Sequence, residues 1–273
     1  MASELFLVDL NAQQFAAIRD LLYETCGIKL SEGKEGLVKS RLMKRLRHLG
    51  FSDYGQYVDY LGTPDAEAER HALIDALTTN KTSFFRENQH FIFLRERILP
   101  NLPDRSKLRI WSAGCSAGHE PFSIAMELRE SMADRPQCDV RILATDISSR
   151  VLAQAREATY DADELQDIPP ALAQKYFTRV HAKPNAYQVS DSIRQMVRFA
   201  PLNLMGDWPM RGPFRVIFCR NVMIYFDKPT QQWLVQRFWE LLEPGGYLMV
   251  GHSESLTGSA HQFKYVQPAT YIK

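Results

Sequence analysis

The chain has 273 residues, 45% of them hydrophobic, which is enough to bury a core without support from disulfides or metal clusters. Its 33 Lys and Arg nearly cancel its 32 Asp and Glu, so net charge gives no whole-chain reason to expect nucleic acid or an anionic membrane as partner. Cys26, Cys115, Cys138 and Cys219 form none of the close pairs that build structural zinc or thioredoxin-like sites, which predicts buried free thiols in a reducing compartment and no metal.

Met1 to Asn11 holds Glu4 and Asp9 and reads as neither a basic leader nor an apolar anchor. No later stretch approaches the roughly 20 apolar residues of a membrane helix, so the expectation is a cytoplasmic chain without membrane insertion. Phe15, Ile18, Leu21 and Leu22 recur at helical spacing, with Cys26-Gly27 as the stop. From Glu35 to Leu49, Val38, Leu42 and Leu46 form an apolar stripe beside Lys39, Arg41, Lys44, Arg45 and Arg47, and Gly50 ends the helix. Tyr54, Tyr57, Val58 and Leu61, then Leu73, Ile74 and Leu77, predict further short helices on either side of Gly62-Thr63-Pro64. Residues 1–79 therefore read as a helical domain.

After Pro100 the period changes. Leu108 to Trp111 predicts a strand, Ser112 to Gly118 a turn of small residues, and Pro121 to Leu128 a helix. Val140 to Ala144 is the next strand, ending at Thr145-Asp146, and Val151 to Ala155 begins a helix. Phe214 to Cys219, Gln231 to Leu242, and Gly246 to Val250 after a Pro244-Gly245 turn continue as strand, helix and strand. This alternation predicts an α/β fold, a mainly parallel sheet with helices on both faces, over 80–273. Residues 176–197 fit it poorly and predict a small inserted antiparallel β-subdomain.

The turn after the first strand lets backbone approach a ligand, and the following helix offers unpaired amides. It has neither the Walker Gly-Lys-Ser/Thr nor the usual dinucleotide glycine spacing. Glu120 and Pro121 also suit an ordinary helix start. Asp146 stands where an acceptor meets ribose hydroxyls, or where a residue caps the next helix; Asn203 and Asn221 follow strand ends and serve equally as ligand contacts or turn residues.

At this point the chain resembles the chemoreceptor glutamate methyltransferases, the CheR family, over nearly its whole length. The resemblance rests on Thr82-Ser83-Phe84-Phe85-Arg86-Glu87, on Trp111 through Ala125, on Phe218-Cys219-Arg220-Asn221-Val222-Met223-Ile224-Tyr225-Phe226 and on Gly251-His252-Ser253-Glu254. It implies a Rossmann-like adenosylmethionine-dependent methyltransferase domain with an N-terminal helical receptor-recognition domain. The donor it implies is S-adenosyl-L-methionine, leaving S-adenosyl-L-homocysteine, and the acceptors are glutamates on cytoplasmic domains of methyl-accepting chemotaxis receptors. Carried over by position, Asn80, Thr82, Arg86, Glu120, Asp146, Asn203, Leu204, Arg220 and Asn221 line the donor, with Arg86 as organiser and Tyr225 as aligner of the acceptor. Where the family commonly has Gly-Glu-Glu-Pro this chain has Gly118-His119-Glu120-Pro121, which implies altered local charge and no proton transfer by His119. His48, His90 and His252 read as surface or satisfied packing residues. The basic face of Lys39, Arg41, Lys44, Arg45 and Arg47 is expected to steer an acidic receptor surface, at membrane-bound receptor arrays. Some family members hold a receptor C-terminal peptide on the β-subdomain by strand addition and others do not; Phe177 through Gln188 departs from the tethering pattern.

Overall fold

The structure, a computed structural model, describes residues 9–103, 106–134, 137–256 and 261–273. The Met1 to Val8 part of the N-terminal reading lies outside them. The chain divides into two compact units: Met1–Thr79 with Tyr225–Asp227, and Asn80–Ile224 with Lys228–Lys273.

The first unit is helical. Helix α1 (Ala12–Cys26) starts at a capping box, in which the Asn11 side chain accepts the Gln14 N–H and the Gln14 side chain accepts that of Asn11. It ends at Gly27, and α2 (Glu35–Leu49) at Gly50, each glycine in the left-handed conformation. The α2 stripe Val38, Leu42 and Leu46 is buried, as its spacing predicts. Asp53 caps α3 (Tyr54–Leu61), and α4 (Glu67–Leu77) follows.

Two basic residues of α2 turn inward. Glu69, 4% exposed, binds the Arg45 guanidinium through both carboxylate oxygens and accepts the Tyr57 hydroxyl at 2.8 Å. Arg41 donates to the Leu77 and Thr78 carbonyls and to the Thr79 hydroxyl at 2.8, 3.3 and 3.1 Å, satisfying acceptors at the end of α4. Of the five residues read as a docking face, Arg41 and Arg45 are thus held by internal bonds. Lys39 pairs with Asp9, and Lys44 and Arg47 are exposed.

In the second unit α5 (Gln89–Phe93) runs on through a wide turn to Asn101. Then come β1 (Lys107–Ala113), α6 (His119–Ser131), β2 (Asp139–Asp146), α7 (Ser149–Glu157), β3 (Thr159–Asp161), α8 (Pro170–Tyr176), β4 (Phe177–Arg179), β5 (Ala186–Val189), α9 (Asp191–Arg194), β6 (Val197–Pro201), β7 (Phe214–Cys219), α10 (Lys228–Leu241), β8 (Leu242–Val250), β9 (Lys264–Gln267) and β10 (Thr270–Ile272). The main sheet has the order β6-β2-β1-β7-β8-β10-β9, with its first five strands parallel and the last two antiparallel. Strand β1 is buried on both faces from Ile110 onward, because helices cover both sides of a parallel sheet. The Trp111 indole donates to the Thr145 hydroxyl at 2.9 Å and packs edge-on against Trp208 and Phe238.

Three details differ from the sequence reading. The antiparallel subdomain has the order β3-β5-β4, so one of its strands, Thr159–Asp161, lies upstream of 176–197, and Val197 already belongs to the main sheet. Strand β8 begins at Leu242, before Pro244-Gly245, which sit in a pairing irregularity opposite Phe214 to Val216. The C-terminal pair β9 and β10 had no alternating signal strong enough to announce it. Among the described residues no helix is long and apolar enough to cross a membrane.

Candidate active site

Chain order places β2 and β6 on one side of β1 and β7 and β8 on the other. The sheet therefore switches direction between β1 and β7, and ligands bind at the carboxyl ends of strands at such a point. The turns leaving β1, β2 and β7 converge there. Gly114 has φ +81°, and a Cβ on it would overlap the Val222 side chain from the turn after β7, so only glycine lets these turns close. The Gly114 and Cys115 N–H groups both donate to the Thr145 carbonyl, at 2.8 and 2.9 Å. Gly118, at φ +92°, begins α6 with no side-chain cap, which leaves amides of the first turn for a ligand.

Asp146 ties this turn to β2. One carboxylate oxygen accepts the Ser116 N–H at 2.8 Å and the other the Ser148 N–H at 2.9 Å. The Ser116 hydroxyl donates to the Asn80 carbonyl at 3.0 Å, so Asn80 joins the same cluster. Leu202, after β6, donates its N–H to the Asp146 carbonyl, which brings Asn203 and Leu204 to the neighbouring strand end. Asn203 accepts the Met205 N–H within its own turn.

Arg220 is the hub of the other half. Its side chain is 3% exposed and binds Glu120 at 2.9 Å, Glu87 at 3.1 Å and the Arg86 carbonyl, while its Nε is buried without a partner. Glu120 also accepts the Ser112 hydroxyl at 2.7 Å. Asn221, held at φ +58°, donates its N–H to Glu254 at 2.8 Å. Glu254 takes two more backbone N–H groups, from Gly251 and Ile224; burial pushes its carboxyl up while these bonds oppose the shift. Burial also disfavours the charged form of Glu87, but Arg220 and the His252 N–H outweigh it and hold the carboxyl below the usual range. Glu87, Ser112, Ser116 and Glu254 were not singled out from sequence. Glu87 and Glu254 close two of the strings that carry the resemblance, which was the signal available.

The remaining residues divide. The Arg86 guanidinium donates to the Lys81 carbonyl at 2.9 Å, so it folds back over its own segment, and Thr82 in that segment is half-buried. Tyr225 groups with the helical unit, where its hydroxyl lies 3.4 Å from the Thr79 carbonyl and its own carbonyl accepts the Lys29 N–H. His119 points into the aromatic core, its ring centroid 4.6 Å from that of Phe84 and 4.7 Å from that of Tyr160, with Nε2 3.0 Å from Glu164. Burial lowers its pKa against the pull of Glu164. His252 is exposed and His90 is fully buried in the packing, where beyond a contact with the Ala269 backbone neither ring nitrogen makes a hydrogen bond of ordinary geometry; burial followed by Arg220 lowers its pKa to about 3.

Close backbone at Gly114, the open start of α6, the Asp146 carboxylate at the end of β2 and the unpartnered Arg220 Nε fit a nucleoside ligand carrying an amino-acid moiety. Residues 80–272 match the family described as CheR methyltransferase, SAM binding domain, and residues 13–78 match CheR methyltransferase, all-alpha domain. A probable chemotaxis protein methyltransferase of Rhizobium etli is 44% identical, over 92% of this chain and 96% of its own. Chemotaxis protein methyltransferases of Borreliella burgdorferi and Escherichia coli are each 40% identical, over 97% and 93% of this chain and 96% and 88% of theirs. Matched in both of its parts and along nearly the full length of these relatives, the chain belongs to the CheR family of S-adenosylmethionine-dependent chemotaxis methyltransferases.

Proposed function

We propose that the chain methylates glutamate side chains on the cytoplasmic domains of chemoreceptors, forming methyl esters, at receptor arrays on the cytoplasmic face of the membrane. The relatives' shared description as chemotaxis methyltransferases, over both units, carries this reading. S-adenosylmethionine supplies an electrophilic methyl group on a sulfonium. Asp146, at the end of β2, holds the ribose hydroxyls, and Glu120 with Arg220 fixes the amino-acid end by charge. Asn80, Thr82, Asn203, Leu204 and Asn221 complete the lining.

An exposed receptor glutamate is already ionised at neutral pH, so no residue has to remove a proton. What the protein contributes is orientation and exclusion of water, which can lower such a barrier by several kcal/mol. Arg86 organises a carboxylate through its fork of donors, once released from Lys81, and the Tyr225 hydroxyl aligns the acceptor by donating to one oxygen and leaving the other free. Both roles rest on the family resemblance. Lys39, Lys44 and Arg47 supply the steering charge. Any receptor C-terminal peptide held by the small sheet would add a strand to β3 or β4, its two edges.

Labelled S-adenosylmethionine, incubated with this chain and receptor cytoplasmic domains, should label the receptor in a form that releases methanol in mild base. Label that survives base, or that appears only on small carboxylic acids, would overturn the substrate assignment. Tyr225→Phe should slow single-turnover methylation more than it weakens donor binding; an unchanged single-turnover rate removes Tyr225 from the mechanism.

A further inference from the structure

Two imidazoles for which the methyl-donor reading has no use meet a carboxylate it does use. Glu87 Oε2 lies 3.9 Å from Nδ1 of His90 and 4.0 Å from Nε2 of His252. One ligand atom from each of the three residues falls within 4.8 Å of the others. His90 is 0% exposed, and beyond a contact with the Ala269 backbone neither ring nitrogen makes a hydrogen bond of ordinary geometry. A buried polar ring so weakly satisfied is uncommon and asks what it is aimed at; here its Nδ1 faces Glu87.

We propose that Glu87, His90 and His252 form a binding site for a zinc-class divalent transition metal. Two imidazoles and a carboxylate are the donor set that zinc accepts with a fourth position left for water. Metal–ligand bonds of about 2.0–2.1 Å in tetrahedral geometry set ligand atoms roughly 3.4 Å apart, so each imidazole needs to close on Glu87 by about half an ångström and the two imidazoles on each other by at most about 1.4 Å. His252 has a 47% exposed side chain and gives solvent access to the site. Mg²⁺ and Ca²⁺ are disfavoured, because they seek several oxygen ligands and this site offers one carboxylate.

Occupation has a consequence that rests on the methyl-donor reading. The Glu87 oxygen within reach of both imidazoles also binds Arg220 at 3.1 Å and the His252 N–H at 3.2 Å. A dication on that oxygen repels the guanidinium and draws Glu87 away from it, loosening the group that holds Glu120. Zinc is therefore an inhibitor of methyl transfer, acting beside the donor site.

Calorimetry with zinc chloride on the full chain, without donor, should show one equivalent bound, while magnesium chloride gives no binding heat. His252→Asn, at an exposed ring outside the donor contacts, should weaken zinc by at least about 10-fold, the lower bound for losing even an outer-sphere partner. His90→Gln should do the same, and because His90 is buried the His252 variant carries the test if the other fails to fold. Absence of zinc binding, or the same isotherm in the folded variants as in wild type, overturns the site. Zinc should inhibit wild-type methylation and inhibit His252→Asn much less; equal inhibition of the two overturns the coupling. The binding arm contains no methyl donor, so a failure of the methyl-transfer reading would leave it standing.

Discussion

Replacing Asp146 by Ala tests the centre of the site. The carboxylate accepts two backbone N–H groups, from Ser116 and Ser148, in a position 7% exposed. Hydrogen bonds to a charged acceptor contribute about 1.5–3 kcal/mol each, which gives about 3–6 kcal/mol for the pair. Water entering at the open ends of the strands will recover part of this, so the lower end, roughly 3 kcal/mol, is expected. In a chain of this size that lowers the melting temperature by roughly 6–12 °C. If this carboxylate holds the ribose, losing that contact weakens the donor by roughly 10- to 150-fold, and the product equally, since the two molecules share the ribose. Calorimetry with S-adenosylmethionine and S-adenosylhomocysteine, beside thermal unfolding without ligand, separates the two effects. Unchanged affinity for both ligands in a folded variant would remove Asp146 from the donor site. An unchanged melting temperature would refute its role in holding the turn.

Gly114→Ala should lower stability by roughly 1–3 kcal/mol through its left-handed backbone and the overlap with Val222, and should weaken the donor; a neutral melt and normal affinity would contradict the close approach of the β1 and β7 turns. Arg45→Ala, which strands buried Glu69, should destabilise by roughly 2–4 kcal/mol after discounting for the partial exposure of the arginine. Lys44→Ala with Arg47→Ala should leave stability within about 0.5 kcal/mol and slow receptor methylation only at low salt, as initial rates across a salt series will show. His90 and His119 both have pKa values lowered by burial, so the unfolded chain binds their protons more readily. The stability they contribute is complete above the ordinary histidine value of about 6.5 and is lost as pH falls below it. Urea unfolding at about pH 7.5 and pH 5.5 should therefore show a smaller loss for His119→Gln than for wild type, and equal losses would count against the buried neutral imidazole.

Local pattern carried most of the fold. The stripe Val38, Leu42 and Leu46 is a helical period with glycine at its end, and the apolar runs into Gly114, Asp146 and Asn221 mark strands ending where a ligand binds. What local pattern could not carry was pairing over distance. Arg41 and Arg45 look like any charged helical face until Thr79 and Glu69 come within reach, and their internal bonds could not be read from that face alone. Thr159–Asp161 is too short to show alternation and becomes a strand only because β5 lies beside it. Glu87 has its partners Arg220 and Asn221 more than a hundred positions away, and no spacing rule reaches that far. His119 sits at a helix start expected to face the ligand, but the ring turns to Phe84 and Tyr160, an orientation set by packing.

The bond from Arg220 to Glu120 closes a loop of 100 residues and rests on β7 having paired with β1. On the donor site proposed above, a nascent or clipped chain that ends before β7 has the glycine turn and Asp146 but not Arg220, and would not retain the donor. Ligand occupancy would thus report whether β7 has joined β1 in the sheet. By mass action a donor present at 100 times its dissociation constant adds about 2.7 kcal/mol to the finished protein and nothing to the partial one. In a cell, depletion of the donor would then shorten the lifetime of the enzyme as well as starve its reaction, because the fraction open to proteases rises as that added stability disappears.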